Sequence, residues 1–598
     1  MSRNKFIIFL LLLISSLVNY SKGNSFLKLN NFRKLKQEED NLSDDIVILH
    51  TNDVHCGLID SIGYDGLMLY KKELKKQYKY VFTVDAGDHI QGGAIGSLSK
   101  GLDIINIMNM VGYDIVAIGN HEFDYGVEQL EECGKKLNCG YISANFCLRK
   151  TKEPIYPAYK ILDVGDKKIG FIGITTPQTL TKSFLHTIVD DEGNMVYDFL
   201  SDNDGKEFYE NTQKYIDEVR DKGADYVIIV SHLGNEGDSL EIYSSSGLLS
   251  KIDGVDAILD GHTHRIYNIT SKDKNGKDVP IAQTGTKLYQ LGVLKIKTDG
   301  TITSEILSEI PQPKFYEPNI IFRDGKNRFV DPEMDAFINY ILNSHSDELN
   351  EKIGYTNFDL KINLDNSGDS SKQLSRSEES TLCDLVADSI RDIGKGDISM
   401  VNAGTVRTDL LKGNITIQKI LDILPFSTDI IVKEVKGSDI LDALEFGMKE
   451  LPNKTSRFPQ VSGISFKVNT KIKSNVVVDS EESFLRVDGD RRVYDVKVGE
   501  EDLDLNKTYR MSFDDYIAEG GDGFSMFTKY EIIENDLKTD NQALVVYIKD
   551  VLKGTIPDIY RKTQGRIIID GKNGQNSANF ISNFPKIILI LCLIITLF

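Results

Sequence analysis

Histidine, aspartate and asparagine residues follow five apolar, strand-like runs in the first half of this chain. The run over residues 115–118 ends at Gly119, and Asn120, His121 and Asp124 come directly after it. Four more runs, in IVILHTNDVH, YVFTVDAGDH, YVIIVSHLG and AILDGHTH, end in the same way and supply Asp53, His55, Asp85, Asp88, His232, His262 and His264. One such residue alone is commonly a helix cap or a turn residue. Five strand ends with the same chemistry indicate a shared site at a sheet edge.

The mixture of imidazole and oxygen ligands indicates a metal site. Aspartate, histidine and asparagine together suit borderline divalent metals such as zinc, manganese or iron. Seven of the nine histidines lie in these five stretches, and only His186 and His345 fall outside them. The sequence therefore predicts metal-assisted chemistry in the first half of the chain.

The elements that must position these residues are predicted from the hydrophobic pattern. Residues 45–310 alternate strand-like runs with amphipathic segments, which predicts α/β layers with helices over 67–79 and 207–222 and strand character over 295–308. Pro311, Pro313 and Pro318 interrupt the pattern, and a helical period resumes after Asp331. Residues 353–568 form a second unit with a helix over 382–390. At 598 residues the chain is too long for one core, so at least two domains are expected.

The order of the motifs resembles a known family. D-x-H, G-D, G-N-H-E, a lone H and G-H-x-H are similar to the calcineurin-like binuclear metallophosphoesterases. The longer forms HTNDVH, DAGD, GNHEFDYG, SHLG and DGHTH, with NAGTVR, LPFS and DDYIAEGGDG further on, resemble the 5′-nucleotidase branch over roughly residues 45–565. The resemblance implies an α/β (α+β) fold with a four-layer αββα catalytic domain at 45–310. A linker and connecting helix at 311–352 would join it to an α/β nucleotide-binding domain at 353–568.

The resemblance implies two divalent metal ions, with zinc as the first expectation and manganese, cobalt or iron as alternatives. The carboxylate of Asp88 would bridge the two cations. Each cation would then have four protein ligands, namely Asp53, His55, Asp88 and His264 for one and Asp88, Asn120, His232 and His262 for the other.

The resemblance gives His121 and Asp124 a catalytic role. Asp124 would fix the His121 imidazole, which would stabilise the phosphoryl group or assist the leaving oxygen. The alternative role for Asp124 is a helix N-cap, and the two roles can coexist. Asp85, His89 and Glu122 are expected to support the ligands from behind or to be structural groups, because the family pattern does not make them ligands.

The resemblance places substrate binding in the second domain. Phe426 and Tyr516 would stack on the base, and the remaining contacts to base, ribose and phosphate would come from Arg376, Asn402, Arg407 and Asp522. Phe426 follows Pro425 and has an alternative interpretation as a core residue. Tyr516 stands where phenylalanine is frequent in the family, and Asp515 stands where asparagine is frequent. NAGTVR departs from the commoner N-G-G-G-I-R but keeps Asn402 and Arg407.

The chain ends predict a surface location. Residues 1–23 have the pattern of a signal peptide, because Arg3 and Lys5 precede an apolar run over 6–14; a signal anchor is the alternative. The apolar tail over 587–598 follows a spacer and the small residues Asn576, Ser577 and Ala578. This pattern matches a GPI-attachment signal that would remove 577–598, and a short tail anchor is the alternative. The prediction is an extracellular protein held on the plasma membrane by lipid.

Cysteine and glycosylation patterns fit a secretory route. Cys133, Cys139 and Cys147 are close enough in sequence for one local disulfide. Beyond the predicted signal peptide, the Asn-x-Ser/Thr tripeptides occur at Asn41, Asn268, Asn414, Asn453 and Asn506.

These observations favour a metal-dependent 5′-nucleotidase that hydrolyses nucleoside monophosphates. The formal charge of −20 disfavours nucleic-acid binding, because the chain lacks the excess of lysine and arginine that would neutralise the phosphates of a nucleic-acid backbone. A homodimer is a further expectation. Alternatives on the same fold are a UDP-sugar hydrolase, a 2′,3′-cyclic phosphodiesterase or a nucleoside di- or triphosphatase. A surface adhesion protein without turnover is the alternative of another class, and the complete ligand set disfavours it.

Overall fold

A computed structural model describes residues 42–182, 195–202, 204–235, 239–323, 326–362, 373–479, 482–535 and 537–570. The predicted signal peptide, the predicted GPI propeptide and Asn41 lie outside these ranges. Asn268, Asn414, Asn453 and Asn506 are all exposed. Within the described ranges, the helices all fall short of the length and hydrophobicity that a membrane span requires.

The first half of the chain folds into two six-stranded mixed sheets. Its strands are β1 (Ser43–Thr51), β2 (Tyr78–Asp85), β3 (Ile115–Ala117), β4 (Tyr141–Ile142), β5 (Cys147–Leu148), β6 (Tyr159–Val164), β7 (Lys167–Thr175), β8 (Tyr197–Asp198), β9 (Tyr226–His232), β10 (Ala257–Leu259), β11 (Ile266–Lys272), β12 (Asp278–Thr284), β13 (Leu291–Ile296) and β14 (Ile302–Leu307). The strand orders are β14-β13-β1-β2-β3-β4 and β11-β12-β10-β9-β7-β6, and β5 and β8 form a separate two-stranded sheet. β1, β2 and β3 run parallel to one another, as do β7, β9 and β10.

Helices cover the outer faces of both sheets. They are α1 (Gly63–Leu74), α2 (Gly93–Ser99), α3 (Leu102–Val111), α4 (Val127–Lys136), α5 (Thr179–Lys182), α6 (Lys206–Asp221) and α7 (Ser245–Leu249). Ile48, Val84 and Ile228 belong to an apolar cluster between the two sheets. Separate clusters join α1 and α3 to the first sheet and α6 to the second. Central parallel strands buried on both faces explain the continuous apolar runs, and the predicted four layers are confirmed.

The helix predictions differ from the structure mainly at their boundaries. The helix predicted over 67–79 is α1, which begins earlier, at Gly63, and ends earlier, at Leu74, because residues 78–79 already belong to β2. The helix predicted over 207–222 is α6 with a shift of one residue. The strand character over 295–308 belongs to two antiparallel strands, β13 and β14, joined by a turn at Gly300.

A hairpin and a helix connect the two domains. The hairpin consists of β15 (Asn319–Arg323) and β16 (Lys326–Val330), and α8 (Pro332–Ser344) follows it. The side chain of Asp331 accepts hydrogen bonds from the backbone N–H groups of Glu333 and Met334, which caps α8. The connecting helix predicted after Asp331 is therefore present, and a short α9 (Ser346–Leu349) extends it.

The second domain contains a five-stranded and a four-stranded mixed sheet. Its strands are β17 (Lys352–Thr356), β18 (Ile398–Asn402), β19 (Gly413–Thr416), β20 (Ile430–Lys436), β21 (Pro459–Ser462), β22 (Ile464–Asn469), β23 (Val476–Val478), β24 (Phe484–Val487), β25 (Val493–Val498), β26 (Glu501–Asp502), β27 (Thr508–Asp514), β28 (Ile532–Glu534) and β29 (Ile567–Asp570). The sheet orders are β21-β18-β27-β20-β28 and β26-β25-β22-β29, and the pairs β17-β19 and β23-β24 form separate two-stranded sheets. Its helices are α10 (Thr381–Gly394), α11 (Ile417–Ile423), α12 (Gly437–Gly447), α13 (Asp515–Ala518) and α14 (Asp540–Val546).

The cysteine prediction needs correction. Cys133, Cys139 and Cys147 are all free thiols in the structure. The Cys147 thiol donates to the carbonyl of Asp198, and the Cys133 thiol donates to the carbonyl of Lys100. These two side chains have different neighbours because Cys133 lies on α4 and Cys147 on β5, so proximity in sequence does not produce a disulfide here.

Hydrogen bonds join the two domains directly. The Asp422 carboxylate on α11 accepts from the backbone N–H of Ala94 on α2 at 3.1 Å. The Ser97 hydroxyl donates to the carbonyl of Pro425 at 2.7 Å. These contacts place the loop that carries Phe426 next to the first domain.

Candidate active site between the two domains

The predicted metal ligands converge at one end of the two sheets. Asp53, Asp88 and Asn120 follow the parallel strands β1, β2 and β3, whose carboxyl ends meet at the same edge. His232 ends β9, and the His262 and His264 pair follows the parallel β10. The sheets face each other, so residues from both come together.

Four of these residues form a compact group. Donor atoms of Asp53, His55, Asp88 and His264 all lie within 4.8 Å of one another. The two Nε2 atoms of His55 and His264 are 2.9 Å apart, and His264 Nε2 is 3.4 Å from Asp53 Oδ1. This is the set that was assigned to one of the two cations. Two imidazole nitrogens and two carboxylates at this spacing fit a divalent metal.

The other proposed ligands lie next to this group. His232 Nε2 is 2.9 Å from Asp88 Oδ2 and 3.7 Å from Asp53 Oδ1. Nδ1 of His262 is 2.9 Å from Oδ1 of Asn120, which is buried. The structure thus brings all seven predicted ligands together, with Asp88 in contact with both groups.

The backbone at these positions has an uncommon conformation. Asp53, His55, Asp88, His262 and His264 have φ between +45 and +83. Left-handed backbone is costly for residues other than glycine and is concentrated at functional sites. The left-handed conformation turns the backbone sharply after each strand, so that several ligand side chains of one short segment can reach the same site.

The imidazole orientations suit metal binding. His55 Nδ1 is 2.9 Å from the carbonyl oxygen of Gln91, and His232 Nδ1 is 2.6 Å from that of Ala86. A ring that donates from Nδ1 to a carbonyl presents the lone pair of Nε2 to the site. In both residues, Nε2 is the atom nearest to the carboxylate of Asp88.

The charges of the group favour a bound cation. Burial lowers the pKa of His55 and of His264 well below the usual value, so both rings are neutral and able to act as ligands. Burial also lowers the pKa of His232, but Asp88 and Asp53 outweigh it and raise that pKa to about 10. The negative charges of Asp88 and Asp53 therefore favour a positive charge beside His232, and a bound divalent ion would supply one.

Two buried carboxylates hold the ligand loops in place. Glu122 accepts backbone hydrogen bonds from Asp88 at 2.7 Å, His89 at 2.8 Å and Gly119 at 2.7 Å. Asp260 accepts from the Ser231 hydroxyl at 2.9 Å and from the backbone of Leu233, Gly234 and Gly261. The sequence predicts a supporting or structural role for Glu122 and no role for Asp260. The only signal was their position inside the G-N-H-E and D-G-H-T-H motifs.

His121 lies beside the proposed metal ligands and faces the second domain. Its Nδ1 is 2.6 Å from Asp124 Oδ2, and its Nε2 is 3.1 Å from Arg407 Nη2. The backbone N–H of His121 donates to Asp88 Oδ1 at 2.7 Å. Asp124 pairs with the imidazole and does not cap α4, whose N-cap residue is Gly126.

A cavity of about 80 Å³ crosses the boundary between the domains at this point. It is lined by His121, Asp124 and the ligands Asn120, His262 and His264 from the first domain. From the second domain it is lined by all six predicted substrate residues, Arg376, Asn402, Arg407, Phe426, Tyr516 and Asp522, and by Thr405, Thr428 and Ser456, which sequence reasoning missed. Phe426 is thus a cavity residue: its ring centre lies 5.5 Å from that of His121 and 4.9 Å from the Arg407 guanidinium.

The remaining polar groups of this cavity form a connected network. Asp522 accepts from Asn402 Nδ2 at 2.6 Å and from the Ser456 hydroxyl at 3.0 Å. The Tyr516 hydroxyl accepts from the backbone N–H of Asp522 at 3.0 Å and donates to the carbonyl of Thr181 in the first domain at 2.8 Å. The hydroxyl that distinguishes Tyr516 from the more frequent phenylalanine therefore makes an interdomain contact.

Arg407 is a cation in a poorly solvated position. Burial, with the positive charge of Arg376 nearby, lowers the pKa of Arg407 to about 10. The guanidinium stays charged at neutral pH and is close to a second cation, which favours binding of an anion between them.

Comparisons with known proteins agree with this geometry. Residues 46–265 match the calcineurin-like phosphoesterase family, and residues 353–529 match the 5′-nucleotidase C-terminal domain. A trifunctional nucleotide phosphoesterase protein of Bacillus subtilis is 27% identical over 574 residues, covering 87% of this chain but only 35% of that longer protein. A 5′-nucleotidase of Rattus norvegicus is 25% identical over 598 residues, covering 91% of this chain and 93% of that protein. The crystal structure of a 5′-nucleotidase precursor from Thermus thermophilus superposes with a TM-score of 0.71 at 25% identity, over 88% of this chain and 100% of that one.

Proposed function

This chain belongs to the 5′-nucleotidase family of metal-dependent phosphoester hydrolases, and we propose that it converts nucleoside 5′-monophosphates into nucleoside and orthophosphate. The observation that carries this proposal is that one cavity is lined both by His121 and His264 from the first domain and by Phe426 and Tyr516 from the second. Aromatic rings suit a planar base, and the Arg407 fork suits a phosphate. A substrate that contains both a base and a phosphate would span the two halves.

The proposal includes two divalent cations, with zinc as the first expectation. Asp53, His55, Asp88 and His264 would hold one, and Asp88, Asn120, His232 and His262 would hold the other. When bound, such cations lower the pKa of a bound water and stabilise charge on the phosphoryl oxygens.

The chain's own residues would orient the substrate and supply a proton. Asp124 holds His121 at Nδ1, and in this structure Arg407 donates to His121 Nε2. A phosphate in the cavity would attract the Arg407 guanidinium and leave Nε2 available for a proton. His121 would then donate that proton to the leaving 5′-oxygen as a general acid. Asp522 would accept hydrogen bonds from the ribose hydroxyls, while Phe426 and Tyr516 exclude water from the base.

We also propose an extracellular location with a GPI anchor. The support is the signal-peptide pattern over 1–23 and the apolar tail over 587–598 after its spacer. Phosphatidylinositol-specific phospholipase C should release the enzyme from intact cells. Retention on the cells, with residues 587–598 still present by mass spectrometry, would indicate a tail anchor instead. Light scattering on the released protein would test the expected homodimer.

The proposed activity is tested by phosphate release from a panel of nucleoside 5′-monophosphates with the purified protein. We expect hydrolysis that a chelator abolishes and that added divalent metal restores. p-Nitrophenyl phosphate serves as the control substrate, because it has a phosphate but no nucleoside. If the protein hydrolysed p-nitrophenyl phosphate but none of the nucleotides, it would be a general phosphoesterase and not a nucleotidase.

A further inference from the structure

A second cavity lies between the domains, next to the one that we assign to the nucleoside. Its volume is about 180 Å³, compared with about 80 Å³ for the first. The two cavities share His264 and Arg407, and the second one also reaches His55. Among the described residues that line it, neither Phe426 nor Tyr516 occurs. The second cavity therefore approaches the proposed metal ligands from a side that the nucleoside does not occupy.

Lys287 is the first-domain cation that lines this second cavity. Its backbone N–H donates to the carbonyl of Asp53 at 2.9 Å, and the hydroxyl of Thr286 donates to the same oxygen at 2.6 Å. A Cβ added at Gly57 would lie only 2.9 Å from the Lys287 Cα, so the two segments pack in direct contact. The position of Lys287 is thus fixed relative to the proposed ligand Asp53.

The backbone at Lys287 is also strained. Lys287 and Leu288 have φ of +54 and +52, so two successive residues with side chains adopt the left-handed conformation. Such strain persists only where the surrounding structure enforces it, and it is concentrated at binding sites. Here it holds a lysine at the wall of a cavity beside a predicted metal centre.

The charges around this second cavity favour an anion. Lys287 attracts Asp422, but within the described ranges its ammonium group makes no hydrogen bond or ion pair. Arg407 is the second cation on the wall. Asp409 is the carboxylate on the wall, and its Oδ1 accepts from the backbone N–H of Ile362 at 2.7 Å. Lysine and arginine donors at a shared wall are the chemistry that binds phosphate.

We propose that this second cavity is a phosphate subsite, with Lys287 as its anchor, beyond the phosphoryl group held at the proposed metal ligands. The inference rests on the proposed function, because it takes the first cavity to be the nucleoside site. While a nucleoside product fills the first cavity, the second cavity would still be open to orthophosphate on the Lys287 side. The same subsite would also accept the terminal phosphoryl group of a nucleoside diphosphate.

Binding of inorganic phosphate to the metal-loaded full chain tests the subsite. Calorimetric titration is done with adenosine at saturation, so that the first cavity is filled. Lys287→Met should weaken phosphate binding by about tenfold, the effect typical of losing a charged hydrogen bond. Lys287→Arg should keep the affinity within about threefold. Lys251→Met, at an exposed lysine outside both cavities, is the matched control and should change nothing.

Steady-state kinetics distinguish the two sources of the phosphate. If the subsite serves the product alone, Lys287→Met weakens inhibition by orthophosphate and leaves the KM ratio of ADP to AMP unchanged. If it also serves the substrate, that ratio rises by about tenfold. Lys287→Gln replaces the methionine variant if the latter does not fold. Unchanged phosphate affinity in a folded variant, together with an unchanged KM ratio, overturns the subsite. The titration needs no turnover, so it gives its answer even if nucleotide hydrolysis fails.

Discussion

Asp88 contacts both groups of proposed metal ligands. One of its oxygens is 2.9 Å from His232 and 3.9 Å from His55, while the other accepts from the backbone of His121. Burial raises the pKa of Asp88, but the neighbouring His232 and His121 outweigh it and hold that pKa well below the usual range. The carboxylate is therefore ionised and able to bridge two cations.

Asp88→Asn should lose turnover and metal together, because in the proposed site its one negative charge would serve both cations. Metal content by inductively coupled plasma mass spectrometry, measured beside phosphate release, checks this expectation. A variant that kept two metals and near wild-type activity would remove the bridging role from Asp88.

His121→Ala should keep both metals and turn over about 10²–10⁴-fold more slowly, the usual contribution of a positioned acid or base. The physical reason is that His121 contacts Asp124 and Arg407 through its ring, while only its backbone contacts Asp88. The measurement is kcat on a nucleotide together with metal stoichiometry. Stoichiometric loss of metal would make His121 a ligand.

The residues of the site were predictable to different degrees. Asp53 and His232 were predicted from their position, since a polar residue at the end of a buried strand reaches a sheet edge. Glu122 was predicted only as a supporting or structural group, because the backbone N–H groups that it binds in the loop of Asp88 depend on tertiary structure. The left-handed backbone of His55 carries no signal in the local sequence. The assignment of each ligand to a particular cation stays a prediction.

At the scale of elements, Glu122 joins the loops that follow β2 and β3. It is fully buried and accepts backbone hydrogen bonds from both loops. Glu122→Gln puts an amide N–H₂ group where a carboxylate oxygen accepted, so a backbone donor is left unsatisfied. We expect metal affinity to fall by about 10–100-fold, as is typical when a partner behind the ligands is changed.

Competition with a chromophoric chelator measures this change in affinity. Glu128→Gln is the control, because Glu128 is an exposed residue near the start of α4 in the same domain. Equal metal affinity in the two variants would show that the loops hold their geometry without Glu122.

For the helices and strands, the type of each element was predicted better than its first and last residues. The period of apolar residues predicted α6 and α8 because each buries one face against a core. The turn at Gly300 was not predicted, because the segments on both sides of it have the apolar pattern of a strand. The helix predicted over 382–390 is the longer α10, which spans Thr381–Gly394 and is followed by Lys395 in the left-handed conformation.

In the whole molecule, the proposed function requires one substrate to contact both domains. The two matched families cover the two halves separately, at 46–265 and 353–529. The interdomain bonds of Tyr516 to Thr181 and of Arg407 to His121 place the second domain against the first. Sequence reasoning could predict two domains and the residues of each, but it could not predict these contacts because they join residues hundreds of positions apart.

The most direct test of this central claim is the selectivity of Tyr516→Ala, measured as the kcat/KM ratio of AMP to p-nitrophenyl phosphate. We expect the variant to lose about tenfold or more in kcat/KM on AMP, because stacking contributes about 1–3 kcal/mol per ring and each 1.4 kcal/mol or so is a factor of ten. The loss on p-nitrophenyl phosphate should be smaller, so the ratio falls. Tyr516→Phe, which keeps the ring and removes only the interdomain hydroxyl, should preserve the ratio. An unchanged ratio in Tyr516→Ala would contradict the claim that the second domain binds the nucleoside while the first domain acts on its phosphate.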